Sequence, residues 1–502
     1  GHDNASEIGP GDTICLLPGQ RSWLWIRYLH GTAEQPIVIM NTIGIVAIDQ
    51  FYYGIKIDSC SHIKLSGKGV SAFSYGITIS EIDGGGMSIE GLSTDIEVEG
   101  IEIYNTTYPG LFCKTDPDCS FTSTRDKYVM RNISLHDNYF HDIGTEGFYI
   151  GNSFYNGVIV NCNGKDTVLL PHLIRGLKVY NNVLLRIGWD GIQVSCADSG
   201  CAIYGNEVYN DSEAGELNQM SGIIVGKGSG CDCFNNSILY GKGTGIQVIG
   251  LGGNRIYNNL IVNPGRSYTQ EYPYMNGIYV GDQSTTPGSN FLIAYNTIIS
   301  PKDYGIDFRS LTTSGNQFIN NIVMNWGRGV SQGSNLTLLN NSTIATLDLS
   351  QFVDVTAGNF DLNPTSVAVN TATQVGQLNL TFDILNRNRP FSIANDIGAF
   401  ECHDPSLIGI PELIDKLSIR FNVELAYPAD ALVIRYFVSK SDRVRIELYD
   451  MTGRVIKRLV DNLLSPGEYE QQVDIENLAE GIYIFRMTAG NEFISKKVHL
   501  LR

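Results

Sequence analysis

The chain has 502 residues, 54 of them Gly and 41 Asn, with 17% charged and 43% hydrophobic. That balance excludes a coiled coil and a charge-rich disordered chain, and no apolar run is long enough for a membrane-spanning helix. The net charge of −17 argues against nucleic acid or an anionic membrane as a partner.

Composition changes near residue 410. Residues 415–502 carry four Gly, four Asn and no Cys, and their charge balances at 13 basic against 13 acidic, so the whole net charge and all ten Cys lie before them. This predicts four parts: an N-terminal cap region over 1–34, a repetitive body over 35–402, a linker over 403–414 and a separate C-terminal module over 415–502.

In the body, short apolar strands recur behind a Gly at 147, 191, 222, 245, 277 and 305. A second series interleaves with it: Asp137-Asn138, Asn181-Asn182, Gly205-Asn206, Asn235-Asn236, Asn258-Asn259, Tyr295-Asn296 and Asn320-Asn321. Two series in phase, with no 3.6-residue period, predict the turns of a β-solenoid: Gly at one bend and stacked Asn at another. The fold class expected is all-β, a right-handed parallel β-helix followed by a small Ig-like β-sandwich. Looser turns precede the clear ones at Tyr53-Gly54, Tyr75-Gly76 and Ile101–Asn105.

The close cysteines Cys113 and Cys119 suggest a disulfide-closed turn, and ten Cys suit an oxidising compartment; no CxxC pair or HExxH motif proposes a transition-metal site.

Strand alternation puts Ile192 and Val194 inside and Gln193 outside. The same parity exposes Phe112, Tyr149, Ile224, Gln247, Tyr279 and Asp307 on one face. Successive coils lie about 4.8 Å apart, so this face could follow an extended sugar chain. Phe112, Tyr149, Trp189, Gln193, Gln247, Tyr279 and Asp307 are therefore candidate substrate-binding residues. Glu146 and Asp190 precede equivalent strands on neighbouring coils and should meet as a carboxylate pair. That pair suits calcium, a shared proton or glycosidase chemistry. With Lys114, which follows the preceding strand, they form the candidate catalytic set; Glu146, Asp190 and Asp137 form a candidate Ca²⁺ set. His136, His141 and Asp142 lie in adjoining loops. Each acid also has a structural reading, as a partner for backbone amides at a bend.

The opening Pro10–Gly19 with Gly31–Ile39, and the close Asp396–Glu401, resemble the first and last coils of secreted bacterial β-helix proteins of the pectate-lyase-like superfamily. That resemblance implies a polysaccharide-active protein, a lyase or hydrolase, with a non-catalytic adhesin as the alternative, because the superfamily hosts both. Leu448–Val455, Pro466–Tyr469, Leu478–Tyr483 and Lys496–Val498 resemble the type A C-terminal sorting domain of the Bacteroidetes type IX secretion system. This implies the type IX machinery as a partner and a secreted or cell-surface protein. Turns are expected at Thr452-Gly453 and Pro466-Gly467, and Tyr427–Asp430 departs from the usual Pro-Asn-Pro opening of that domain.

Overall fold

The computed structural model describes residues 8–500 except 50, 332, 334, 356, 379, 405, 406, 408–418, 427–430, 439, 451–453, 475–477, 479, 480 and 491. Most of the expected linker, the Tyr427–Asp430 segment and the Thr452-Gly453 turn lie outside the described residues.

The body is a stack of coils, each laying one strand into each of three parallel sheets. Sheet A has 12 strands, from Thr13–Leu16 to Leu336–Leu339; sheet B has 12, from Gly19–Arg21 to Ser342–Ile344; sheet C has 11, from Leu24–Arg27 to Gly329–Ser331. The first coil therefore begins at Thr13, inside the stretch expected as a cap. The last strand of the stack ends at Ile344, short of the expected residue 402. Asp396–Glu401 is not a further coil. Residues 367–401 instead pack on the outside of late coils, where Ala372, Val375, Leu378 and Leu380 meet Tyr257, Leu292 and Tyr295. A fully buried Arg389–Glu401 ion pair of 3.0 Å ties the segment to itself, and Arg389 Nη1 donating to Asn258 Oδ1 at 3.2 Å and Ala399 N donating to Thr297 Oγ1 at 2.9 Å fasten it to the coils.

The interior is built from columns of identical position. Ile39, Leu65, Val98, Leu135, Val179, Ile203, Cys233, Ile256, Ile293 and Phe318 succeed one another in register on sheet A, all buried. Aliphatic side chains that repeat once per coil give a continuous dry core although no single coil could bury its own face.

The two halves of each Asn-Asn pair do different work at the bend between sheets A and B. The first position is left-handed in the eight coils that carry the pair: Asp137, Asn181, Gly205, Asn235, Asn258, Tyr295, Asn320 and Asn340 have φ from 52° to 65°, a region most tolerant of Gly, Asn and Asp. The second position forms a buried ladder. Each Nδ2 donates to the Oδ1 of the next coil's Asn, at 2.9–3.0 Å, from Asn138 through Asn182, Asn206, Asn236, Asn259, Asn296 and Asn321 to Asn341.

The Gly series at the bend into sheet C has another cause than the one expected. Gly147, Gly191, Gly222, Gly245, Gly277 and Gly305 have no left-handed φ. They are required by space. A Cβ on Gly191 would stand 2.5 Å from the Gly222 carbonyl oxygen and 2.7 Å from Val208 Cγ1, and one on Gly147 would stand 2.4 Å from Leu184 Cδ2.

Cys113 does not pair with Cys119. It alternates inward with Leu111 and is buried in the core, while Cys119 bonds to Cys162 and Cys201 to Cys231. Cys201 and Cys231 are register partners on adjacent coils. Closing a 30-residue loop, this crosslink should contribute about 3.6 kcal/mol through the unfolded chain. The Cys201→Ser/Cys231→Ser protein is expected to unfold at a measurably lower urea concentration under non-reducing conditions, and an unchanged midpoint would refute this.

The C-terminal module is separate. Strands Ile419–Ala426, Ala431–Val438 and Gly467–Asp474 form one antiparallel sheet; Val455–Leu464, Asp442–Asp450, Gly481–Ala489 and Glu492–Leu500 form a second. Leu432, Ile434, Val444, Ile446, Leu448, Phe485 and Met487 share one core, which makes the module a β-sandwich.

Candidate functional site on sheet C

The outward row predicted on sheet C is continuous. Phe112, Tyr149, Gln193, Ile224, Gln247, Tyr279 and Asp307 are successive register partners. It also runs further than expected, toward the N-terminus through Ser88 and Lys56 to Trp25. Trp25 was missed because its coil reads as a cap; its alternation with buried Ile26 was the available signal.

Parity set direction correctly but not exposure. Gln193, Ile224 and Asp307 are buried, whereas Phe112, Tyr149, Gln247 and Tyr279 are partly buried, with some of each side chain reaching the surface. Ser153, just beyond the strand Phe148–Ile150, binds both the Tyr149 hydroxyl and Gln193 Nε2 at 2.8 Å. Asp307 is held by Arg309 Nε at 2.6 Å. Sequence alternation cannot report such covers, because they come from loops of irregular length.

Two loops that leave sheet C strands are tied to each other: the Cys119–Cys162 bond joins them, and the Arg125 guanidinium lies 4.0 Å over the Tyr155 ring. Lys114 begins the first of these loops, directly after the strand Leu111–Cys113. Its Nζ is 3.0 Å from Asp116 and 4.9 Å from the centre of the Tyr149 ring. It is thus a paired cation beside the aromatic part of the row.

Glu146 and Asp190 do occupy neighbouring coils, since Gly147 N donates to Asp190 O. Both are withdrawn from the face, at 2% and 0% exposure. Burial raises the Glu146 carboxyl above its ordinary range, against its own backbone amide and Lys114. Burial also pushes Asp190 well above its range, and the Glu146 and Asp211 carboxylates add to this against the Ser221 backbone. Among the described residues, neither Asp190 carboxyl oxygen has a hydrogen-bond partner of good geometry. Asp211, which sequence reasoning missed, is buried beside them; burial pushes it up to about 7 although Ser212 Oγ donates to it at 2.7 Å. These groups form a buried, proton-holding cluster, and Asp190 cannot touch a polymer lying on the face.

The three residues expected to hold Ca²⁺ do not assemble. Asp137 stands at the opposite bend, bonded to Lys68 Nζ at 2.8 Å and His136 Nδ1 at 2.9 Å. Among the described residues, the acids and histidine whose ligand atoms come within 4.8 Å of one another are Glu97, Glu99 and His136. That cluster already carries its own cations, Lys64 and Lys68. The hydrogen bond to His136 holds Glu97 down to about 2 despite burial, and bonds to Asp137 and Glu97 hold His136 up to about 9. It reads as a neutralised network, continued by the stacked rings of His136, Tyr180, Tyr204, Phe234 and Tyr257. His141 lies on sheet B, stacked between Tyr104 and Tyr139 and bonded to Asp142, which in turn pairs with Arg186. Trp189 is partly exposed at the bend into sheet C.

Residues 172–343 match the family model described as right handed beta helix region, and residues 427–500 match that of a secretion system C-terminal sorting domain. The coils are a right-handed β-helix, and the sandwich is a sorting domain. The protein is therefore exported by the type IX route, to the medium or the cell surface. No helix among the described residues is long and apolar enough to cross a membrane.

Solved structures similar to the chain include pectate lyase Pel9A (14% identity, 79% of this chain, 90% of that chain, TM-score 0.40). The Azotobacter vinelandii mannuronan C-5 epimerase AlgE6 A-module matches at 15% identity over 66% of this chain and 91% of that chain, TM-score 0.33. XylC in complex with xylose matches at 12% identity over 79% and 94%, TM-score 0.40. At such values the likeness carries nothing about reaction. A comparison with curated proteins returned no match.

Proposed function

We propose that this exported β-helix protein is polysaccharide-active and holds an extended glycan along the outer face of sheet C. The observation that carries the reading is the unbroken register row, from which the Phe112, Tyr149 and Tyr279 rings and the Gln247 amide reach the surface, with Lys114 beside Phe112 and Tyr149. Aromatic faces offer stacking area and the Gln247 amide offers hydrogen bonds, at positions separated by whole coils along one axis, which suits a polymer of repeating rings. Export places such a face where extracellular polysaccharides are met.

Affinity electrophoresis through gels containing uronate or neutral polysaccharides should retard the wild-type protein in at least one polymer. The Tyr149→Ala/Tyr279→Ala variant should bind that polymer about tenfold more weakly, as expected for losing two partly desolvated rings. Migration unaffected by every polymer would refute the reading.

For turnover, Lys114 is the member of the expected catalytic set that reaches the face, with Tyr149 beside it. Lys114, paired with Asp116, suits neutralising a uronate carboxylate, and Tyr149 carries an exchangeable proton beside it. Lyase or hydrolase action would appear as unsaturated products or new reducing ends that Lys114→Ala abolishes while binding persists. Binding without products would favour the adhesin.

A further inference from the structure

The N-terminal end of the row carries more exposed aromatic surface than solubility requires. Trp23 and Trp25 are 42% and 41% exposed, and Phe51 and Tyr52 are 49% and 55% exposed. Three of these rings form one patch, with Trp23 lying 5.8 Å from Trp25 and stacked on Phe51 at 5.9 Å; Tyr52 follows Phe51 in the chain and meets Tyr53 edge-on at 4.9 Å. The Arg27 guanidinium lies 4.3 Å over Trp25 and has no carboxylate partner among the described residues. Lys56 Nζ lies 4.4 Å over Tyr53.

Contiguous exposed aromatics of this kind mark an interaction surface, because each ring left in water forgoes the burial it could have had. Two facts select the occupant. Trp25 is in register with Lys56 and, through Ser88, with Phe112, so the patch continues the sheet C row along the coil axis. Two of the chain's four Trp are concentrated here, and indole presents a broad flat face whose electron density favours the polarised C–H bonds of a pyranose ring. Arg27, held against Trp25, adds donors for hydroxyl or carboxylate oxygens at the patch.

We infer that Trp23, Trp25, Phe51 and Tyr52 form a pyranose-stacking platform that takes one end of a glycan chain lying on the sheet C face. The inference rests on the reading of that face and adds a second, separable subsite to it. Neutral and uronate polymers share the pyranose C–H face, so both are probed: arabinoxylan and mixed-linkage β-glucan in one arm, polygalacturonate and alginate in the other.

The test is tryptophan fluorescence of the full chain with acrylamide quenching. A bound polymer should shift the emission to shorter wavelength and protect the indoles, and the arm that does so identifies the charge class. Trp23→Ala/Trp25→Ala should reduce the shift to what Trp189 and Trp326 contribute and weaken binding about tenfold, while Trp23→Phe/Trp25→Phe, the safer variant for folding, should retain most of the affinity. Tyr149→Ala/Tyr279→Ala should lose affinity yet keep the tryptophan response at saturating polymer. Wild-type affinity in the Trp→Ala protein overturns the platform and leaves the row standing. Wild-type affinity in the Tyr→Ala protein with loss in the Trp→Ala protein overturns the row instead. A wild-type dimer that the Trp→Ala change converts to monomer, with polymer binding unaltered, overturns the platform in favour of self-association.

Discussion

Asn236→Ala should destabilise the β-helix by about 4 kcal/mol. The side chain sits mid-ladder and is fully buried. Its Nδ2 donates to Asn259 Oδ1 at 3.0 Å, Ile203 O at 2.9 Å and Phe234 O at 3.0 Å. Its Oδ1 accepts from Asn206 N at 3.0 Å and Asn206 Nδ2 at 2.9 Å. Truncation strands several of these groups away from water, and each buried unsatisfied group costs roughly 1–3 kcal/mol. Asn236→Asp should be nearly as harmful, because a carboxylate cannot donate to Ile203 or Asn259. The neighbouring Asn235 gives the control. It holds the left-handed position, φ 54°, so Asn235→Gly keeps the required backbone and should change stability by less than about 1 kcal/mol. Because a solenoid can open coil by coil, hydrogen exchange at residues 200–262 together with urea unfolding is the appropriate measurement. Equal losses in Asn236→Ala and Asn235→Gly would contradict the division of labour within the pair.

The second large effect concerns charge. Asp190→Asn should stabilise the protein on the order of 1–3 kcal/mol at pH 8 and hardly at all near pH 4. Burial and the Glu146 and Asp211 carboxylates raise the Asp190 pKa far above that of the unfolded chain, so the folded state retains a proton that the unfolded state has already released. Unfolding free energy therefore falls as pH rises above about 4, where a free aspartate ionises. Asp211, pushed up to about 7 by burial, contributes a similar decline that ends near pH 7. An amide cannot ionise, so Asp190→Asn removes its part of the slope and leaves that of Asp211. Thermal unfolding from pH 4 to 9 tests this: a variant curve parallel to wild type across the range would mean that Asp190 is charged and compensated in the fold.

These predictions separate what was legible in the residues from what was not. The Asn ladder and the strand register could be read because both recur once per coil, and a position that repeats must meet its own kind above and below. The direction of Tyr149, Gln193 and Tyr279 was legible for the same reason, since alternation is a property of the strand itself. The Gly series was placed correctly but explained wrongly: its need for space at Gly147 and Gly191 arises from Leu184, Val208 and carbonyls of adjacent coils, which belong to other turns. The partners of Cys119 and Asp137 were likewise set by loops whose length does not repeat.

By itself, then, the sequence determined a parallel solenoid, its outward rows and an exported sandwich tail, because periodicity and alternation are local and self-reinforcing. Only the tertiary structure decided which members of those rows reach solvent. Ser153 closes over Gln193, the coil bend hides Glu146 and Asp190, and the first coil leaves Trp25 bare. Burial depends on irregular segments that cross from one coil to another, and no repeating pattern encodes where they come to rest.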